Sequence, residues 1–491
     1  MKQTTPFLAG FSHRLFGRQR RSMLDQLRAQ SEQWQATTLS RLCEVFGSWL
    51  PANALSPVDK GINSRERLYP QRVTFWAFLS QVLNVTSSCR EVVRKVQAWY
   101  AAQGQSADSG TSAYCQARSR LPLRSLQQVH EALVGKLSAR VTTPELWLGR
   151  CVKVVDGTGL SMPDTAANQK EWPQSSGQKP GCGFPVVKVV ACFGLASGAL
   201  LDWVEGTLKT HECRQLLQLL SGFKKGDVVL ADRGFSSYGS LASLFARGVD
   251  AVMRLHQFRK LDWRAGKSLG KRDRLVTWKK GQLQGKLWTA ETWAALPEEL
   301  TVRLVEIVVT VPGFRTHKIV LVTTLLAAQT YTAEELGRLY FRRWSVELFF
   351  RDIKQTLGMD VLRCKSPALI RKEIVMHVIG YNLIRALMQD IAQSYQAAVS
   401  RLSFKGTVDA LRQWRALFET GKAGVRAGCR LKELFYRSIA DDLLLERPER
   451  SEPRMRKRRP KNFPLLMRPR QEIIADIIQR NSTTHLSLIH I

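Results

Sequence analysis

The chain has 491 residues, of which 74 are Lys or Arg and 41 are Asp or Glu, leaving a net charge of +33. Hydrophobic residues make up 44%, which excludes wholesale disorder and leaves material for the cores of roughly two to four domains. The nine Cys form no CxxC pair and the eight His no HExxH, so neither a zinc site nor a disulfide framework is expected and a reducing cytosol fits.

A charge excess of this size, spread over the whole chain, points to a polyanionic partner, most simply nucleic acid, rather than to a merely basic soluble protein. The start of the chain lacks the charged-then-apolar layout of a signal peptide. Residues 1–145 are expected to be a helical DNA-binding region, with a small cationic cluster at Arg18, Arg20 and Arg21. Val73 to Val85 is apolar, and Thr86-Ser87-Ser88 is placed to cap a helix over Arg90 to Ala102. After a Gly/Ser-rich loop, Thr111 or Ser112 caps a short helix presenting Gln116, Arg118 and Arg120, with a break at Pro122. Arginines on helices joined by short turns suit contact with a DNA groove or backbone. The plainer alternative is a structural bundle with a basic surface.

From Leu146 the periodicity changes, and residues 146–256 are expected to be the first part of an α/β core. Cys151 to Val155 is a β-branched strand ending at Asp156, followed by a Gly-Thr-Gly turn. Phe184 to Phe193 and Ala199 to Val204 form a hairpin around Ser197-Gly198. This is the most apolar stretch, yet it carries Lys188, Gly194, Gly198 and Asp202, and no run reaches the ~18 apolar residues of a membrane span. Glu212 to Ser221 reads as an amphipathic helix, and Asp227 to Leu230 as a strand ending at Ala231-Asp232-Arg233-Gly234. A helix (Ser240 to Arg247) and a strand (Asp250 to Arg254) follow. Residues 257–316, polar and holding Trp263, Trp278, Trp288 and Trp293 among short alternating runs, are expected to be a β-rich insertion.

Residues 317–400 return to the core through a strand, His317 to Thr323, and end in a long apolar helix, Pro367 to Tyr395. Between them, Tyr331 to Leu357 is rich in Leu, Glu, Arg and Phe with no Pro and predicts one long helix, opened by a Thr332/Glu335 capping box. On a regular helix Tyr340, Arg343, Glu347 and Lys354 fall within an arc of about 60°. Leu339, Val346, Phe349, Phe350, Ile353 and Leu357 fill another face and dock on a core. One carboxylate ringed by two cations and a phenol suits a site holding a metal and a phosphate together; the alternative is a solvated face with a Glu–Arg pair. Residues 401–491 start helical and continue as a basic arm, Arg447 to Arg470, which includes Lys457, Arg458 and Arg459 and either binds nucleic acid or is a solvated tail. The last ten or so residues, ending THLSLIHI, fit no predicted element.

Asp156 and Asp232 at predicted strand ends and Glu347 in the long helix make a set of three hard oxygen donors, suited to Mg²⁺ or Mn²⁺ and not to zinc. Two such ions can activate an attacking oxygen and stabilise a leaving one in phosphoryl transfer. The arrangement resembles the insertion-sequence-four family of DDE transposases, bacterial cut-and-paste enzymes. The family's signature Y-x₂-R-x₃-E-x₆-K is matched by Tyr340, Arg343, Glu347 and Lys354, and VVDGTGL and VLADRGF are similar to its two Asp motifs, as is KRRPKNFPLL to its basic ending. The resemblance spans roughly residues 60–470.

It implies an α/β fold with a ribonuclease-H-like catalytic core interrupted by the β-rich insertion. It further implies two Mg²⁺ ions (Mn²⁺ able to substitute) on Asp156, Asp232 and Glu347, and a homodimer acting on double-stranded DNA, at the element's terminal inverted repeats and at the target. One strand would be hydrolysed at each end, and the freed 3′-OH would attack the opposite strand to form a hairpin. Tyr340, Arg343 and Lys354 would clamp the phosphate beside an extruded base, which relatives stack on a Trp of the insertion. Arg118, Arg120, Arg233, Trp344, Lys457, Arg458 and Arg459 are further candidate DNA contacts, Trp344 being placed to pack near the site rather than to stack. Rival readings are a transposase-derived repressor without catalysis, and a structure-selective nuclease on the same fold. A cytoplasmic, nucleoid-associated bacterial protein is expected.

Overall fold

The strand Val152–Ser161 (β1) is the axis on which the sheet is laid out. The computed structural model describes residues 46–51, 68–101, 104–283, 287–308, 318–420, 425–445 and 465–488. They fall into two compact units, one within Met1–Ser125 and Lys405–Asp442, the other within Leu126–Phe404 and Leu443–Ile491. The cationic cluster at Arg18, Arg20 and Arg21 and the arm residues Lys457, Arg458 and Arg459 lie outside the described residues.

The first unit is helical. Gln71–Leu83, Cys89–Ala101 and Thr111–Arg120 pack around Phe75, Phe78, Leu79, Val93, Val96 and Tyr114, all buried. The Ser88 hydroxyl accepts from Glu91 N at 3.1 Å and so satisfies one of the free N–H groups at the start of the second helix. Arg118 departs from expectation. It is buried, donates to Gln81 Oε1 at 3.4 Å and lies over the rings of Phe78 and Tyr114 at 5.2 and 5.0 Å. Its guanidinium is stacked inside the bundle rather than presented at its surface. Arg120, two residues on, is exposed.

The second unit carries one nine-stranded sheet in the order β3-β2-β1-β4-β5-β9-β8-β7-β6. After β1 come β2 (Val186–Gly194), β3 (Leu200–Gly206), β4 (Val228–Ala231) and β5 (Asp250–Arg254). Then follow β6 (Lys267–Gly270), β7 (Asp273–Lys279), β8 (Glu299–Val308) and β9 (Lys318–Thr323). β1, β2 and β3 are antiparallel, β1, β4 and β5 parallel, and β9, β8, β7 and β6 continue antiparallel from β5. Val154, Val155, Val229 and Leu230 are buried in unbroken runs, the pattern of strands covered on both faces. On one face Val155, Val229, Ala251 and Met253 meet Cys213, Leu216, Leu241 and Leu244 of the helices Glu212–Leu219 and Tyr238–Phe245. Trp278, Trp288, Leu300 and Val302 share that core, so β7 and β8 extend it. On the other face Phe193, next to Cys192 and therefore pointing the opposite way, packs on Phe349, Phe350 and Tyr381.

β1 is longer than expected. It runs through Asp156 and the Gly-Thr-Gly segment, which pairs with β2 from Gly157↔Val190 to Gly159↔Lys188. Those glycines therefore make no turn; they keep the strand clear of its neighbours, since a Cβ at Gly159 would lie 3.2 Å from Val186 Cγ1.

The expected single helix over Tyr331 to Leu357 is a helical rod of four segments. Ala333–Phe341 is α-helical, Arg342–Trp344 tightens to a 3₁₀ turn, Ser345–Arg351 is α-helical and Asp352–Thr356 widens to a π turn. The Thr332 hydroxyl accepts from Glu335 N at 3.2 Å, as the capping motif requires. The wide turn begins at Asp352, a buried carboxylate held by Arg385 Nη2 at 2.9 Å from the helix Pro367–Ser394. Arg385 Nε donates to Tyr381 Oη at 2.9 Å, and that hydroxyl donates to Gly198 O at 2.5 Å. Gly198 has φ of 68°, and a Cβ there would sit 3.1 Å from both Arg385 Cζ and Phe349 Cε1.

A second pair fixes the entry to the rod. Arg303 is 1% exposed, binds Asp273 through Nε and Nη2 at 2.8 and 2.5 Å, and donates from Nη1 to Tyr331 O at 2.6 Å. Further on, the helix Arg470–Leu488 includes most of the tail expected to lack an element. Among the described residues no helix is long and apolar enough to cross a membrane.

Candidate active site

The parallel pairing of β1 with β4 ends at Val155↔Ala231, so Asp156 and Asp232 leave it side by side. Each carboxylate is fixed by the backbone that follows it. Asp156 Oδ1 accepts from Gly157 N at 2.8 Å, and Asp232 Oδ1 accepts from Gly234 N at 2.8 Å, capping the 3₁₀ turn Arg233–Phe235. The rod brings a cation to the pair: Arg343 Nη1 lies 3.8 Å from Asp156 Oδ2. Burial pushes Asp156 up to about 6, with Asp232 and Glu212 adding to the rise, while the Gly157 N–H and the Arg343 charge oppose it.

Tyr340 is buried beside Arg343, whose Cζ lies 5.7 Å from the phenol ring centre. Burial raises the Tyr340 phenol; the nearby Arg343 charge opposes the rise and Asp232 adds to it. Arg343 is 8% exposed, and its Nε has no partner among the described residues. Lys354 reaches back to β1, with Nζ 3.2 Å from Thr158 Oγ1, 3.1 Å from Gly159 O and 2.9 Å from Asp360 Oδ1. Arg343 and Lys354 therefore both turn toward the β1 segment that carries Asp156, with Tyr340 packed beside Arg343. Glu347 does not: it is exposed and makes no side-chain hydrogen bond or ion pair among the described residues. Arg233 is exposed next to Asp232, and Trp344 is half-buried under Arg343 Cζ at 5.3 Å.

Glu212, which carries no motif in the sequence, lies beside the two Asp motifs. It begins the helix after β3, and its carboxylate lies over both glycines of the Asp motifs: a Cβ at Gly157 would be 2.8 Å from Glu212 Oε1, and one at Gly234 would be 3.4 Å from Oε2. Its sequence signal is weak, because an acid in the first turn of a helix is also what the helix dipole favours.

Residues 147–383 match the family model described as "Transposase DDE domain", a span that contains every residue just placed. These residues carry a transposase DDE domain, and the chain is similar to transposases of the insertion-sequence-four type. It is 26% identical over 418 residues to the transposase InsG for insertion sequence element IS4 of Escherichia coli strain K12, covering 84% of this chain and 90% of that one. The putative transposase InsL for insertion sequence element IS186A of the same strain is 36% identical over 70 residues, 14% of this chain and 19% of that one. Among solved structures, the piggyBac transposase synaptic complex with hairpin DNA aligns over 86% of each chain with a TM-score of 0.39 and 9% identity.

DDE transposase domains use divalent metal ions to cleave and transfer DNA strands, and the donor set of this transposase fits such ions. Asp156 and Asp232 are hard oxygen donors held close enough to repel each other, and the glycine after Asp156 and the one two residues after Asp232 leave the space beside them open. As the side chains stand, no three acidic, His or Cys groups among the described residues form a ready cage.

A cavity of about 630 Å³ opens beside the second Asp motif. Gly234, His211, Arg259, Lys279, Trp288 and Trp293 are part of its lining. Trp288 is buried and its indole N–H has no partner among the described residues. Arg259 lies over Trp278 at 3.6 Å.

Proposed function

We propose that this transposase excises an insertion sequence by cutting and pasting, through a hairpin intermediate, with Asp156, Asp232 and Glu347 as its metal-binding carboxylates. The carrying observation is the pair of half-buried carboxylates at the end of the β1–β4 pairing, faced by a buried arginine that is incompletely bonded. The strand order β3-β2-β1-β4-β5, antiparallel and then parallel, supports reading the core as ribonuclease-H-like. Bound Mg²⁺ ions, two in number and replaceable by Mn²⁺, would activate an attacking oxygen and stabilise the leaving one.

The chain's own residues do the rest. Asp156 and Asp232 present carboxylate oxygens from fixed backbone, and Glu347, free of ion pairs and one helical turn beyond Arg343, supplies the third. Arg343 sits beside Asp156 with Nε unsatisfied, an arrangement that favours a phosphate oxygen between guanidinium and site. Tyr340 supports that guanidinium, and Lys354 places a second cation two to three residues further along β1. Hairpin formation needs a sharply bent backbone and an extruded base. Of the four Trp expected in the insertion, Trp288 and Trp293 line the cavity next to Gly234 and are the ones we assign to receive that base, with Arg259 and Lys279 beside it. Double-stranded element ends and target DNA are the substrates. Two ends must be cut while each chain would hold one such centre, which supports reading the working form as a homodimer on paired ends.

The test replaces Asp156, Asp232 and Glu347 by Ala, one at a time. Each change should abolish strand cleavage on end-labelled element DNA and leave end binding largely intact. Cleavage at near-normal rate in any of the three sinks that residue's assignment.

A further inference from the structure

Glu212 is the acidic residue nearest the two Asp motifs that the reading above does not use. Its backbone is tied to the same turn as Asp232: the adjacent Cys213 is buried and its thiol donates to Gly234 O at 3.2 Å, while His211 Nδ1 accepts from Cys213 N at 3.2 Å. Its side chain runs into the space that Gly157 and Gly234 leave open. A Cβ on Gly234 would lie 3.1 Å from Asp232 Oδ1 and 3.4 Å from Glu212 Oε2, so the two carboxylates approach one common point. The ion pair it makes is with Lys188, at 3.1 Å, and that ammonium is shared with Thr210 O at 3.2 Å. A second observation points to an absent charged group. Arg343, more than nine-tenths buried, faces Asp156 from the rod with Nε unpartnered, as a cation awaiting an anion would be.

We propose that Glu212 is a further carboxylate ligand of the catalytic divalent ion, beside Asp156 and Asp232; this rests on the metal-dependent reading of the site given above. The helix Glu212–Leu219 delivers the carboxylate from the β3 side, whereas Glu347 approaches from the rod. Lys188 neutralises Glu212 while no metal is bound and releases it when one is. The plain competitor is a helix-start acid paired with a lysine and nothing more.

Manganese binding to the full chain, followed by the loss of the free Mn²⁺ electron-paramagnetic signal, separates the two without relying on activity. Glu212→Gln should weaken Mn²⁺ binding by about ten- to hundred-fold. Lys188→Met, which removes the pairing partner alone, should leave Mn²⁺ binding unchanged or tighter. If Glu212→Gln does not fold, Glu212→Asp, one methylene shorter with its charge kept, should show the same weakening. Asp156→Asn and Asp232→Asn should lose Mn²⁺ binding altogether. Mn²⁺ binding by the Glu212 variant within two-fold of the parent, while the Asp variants lose it, overturns the inference and leaves the function reading standing. If the Asp variants bind Mn²⁺ like the parent, or the parent binds none, the metal reading fails and the inference with it.

Discussion

Two sets of charged groups lie along the rod, and they are built differently. At its far end Asp352 meets Arg385 at 2.9 Å, and Arg385 is further bonded to Tyr381 and flanked by Phe349 and Phe404. At its entry Asp273 takes Arg303 in two bonds, and the third guanidinium nitrogen is used by Tyr331 O. In the middle, Arg343 stands 3.8 Å from Asp156 with Nε unpartnered, and Asp156 is crowded by Asp232 and Glu212. Satisfied pairs fix where the rod runs; on the function proposed above, the unsatisfied one is where a substrate and its ions would complete the bonding.

The largest expected effect breaks the middle set. Asp156→Asn or Asp232→Asn should cut strand cleavage by at least about 10³-fold while far-UV spectra and end binding persist. An active Asn variant would mean that the crowded carboxylates are structural like the outer ones. Next, removing one partner of an outer pair, as in Arg385→Ala or Arg303→Ala, should cost about 3–5 kcal/mol, because it leaves a buried charge uncompensated. Denaturant unfolding checks this; a cost for Arg343→Ala as large as for Arg385→Ala would erase the contrast between the two sets.

Smaller and more selective is the loss of Arg343 or Lys354. A charge-assisted hydrogen bond is worth about 1.5–3 kcal/mol, or roughly ten- to hundred-fold in rate. On the mechanism proposed above, first-strand hydrolysis needs chiefly the metal site and water, whereas the hairpin step crosses a bent backbone whose phosphates repel. In Arg343→Ala and Lys354→Ala, nicked DNA should therefore accumulate as hairpin product falls. Equal loss of both products on a denaturing gel would return these cations to general DNA binding. Smallest per site is the salt effect: each phosphate neutralised should contribute about −0.9 to the slope of log K against log salt. Arg120→Ala should make that slope shallower, and Arg118→Ala, a change inside the bundle, should lower stability instead.

Much of this was legible in the sequence because period and chemistry agreed. The β-branched runs before Asp156 and Asp232 predicted two strands, and the run Val228–Ala231 is one of them. The predicted docking face of the rod is buried at Leu339, Val346, Phe349, Ile353 and Leu357. Three features were not legible. The Gly-Thr-Gly segment has the composition of a turn, yet it is strand, because its glycines clear space for Glu212 and Val186. A helical wheel assumes regular turns, and the rod has a 3₁₀ turn at Arg342–Trp344 and a π turn at Asp352–Thr356. Arg118 sits in a basic, surface-like stretch; its burial depends on Gln81, Phe78 and Tyr114, which sequence spacing alone does not bring together.

The most direct test of the contrast is the stability of Asp156→Asn without metal. The folded-state value of about 6 lies above the ordinary carboxylate value of 3.8, so the fold favours the protonated form. That contribution is fully present below pH 3.8 and is lost as the pH rises through about 6, a loss of ~3 kcal/mol for the parent by neutral pH. Asn does not titrate. In EDTA at pH 7.5 the Asp156→Asn transposase should therefore unfold at a higher temperature than the parent, with the two converging near pH 4. Added Mg²⁺ should stabilise the parent and not the variant. A variant less stable than the parent at pH 7.5, and still stabilised by Mg²⁺, would show that Asp156 is a structural group like Asp352 and Asp273 and would contradict the account.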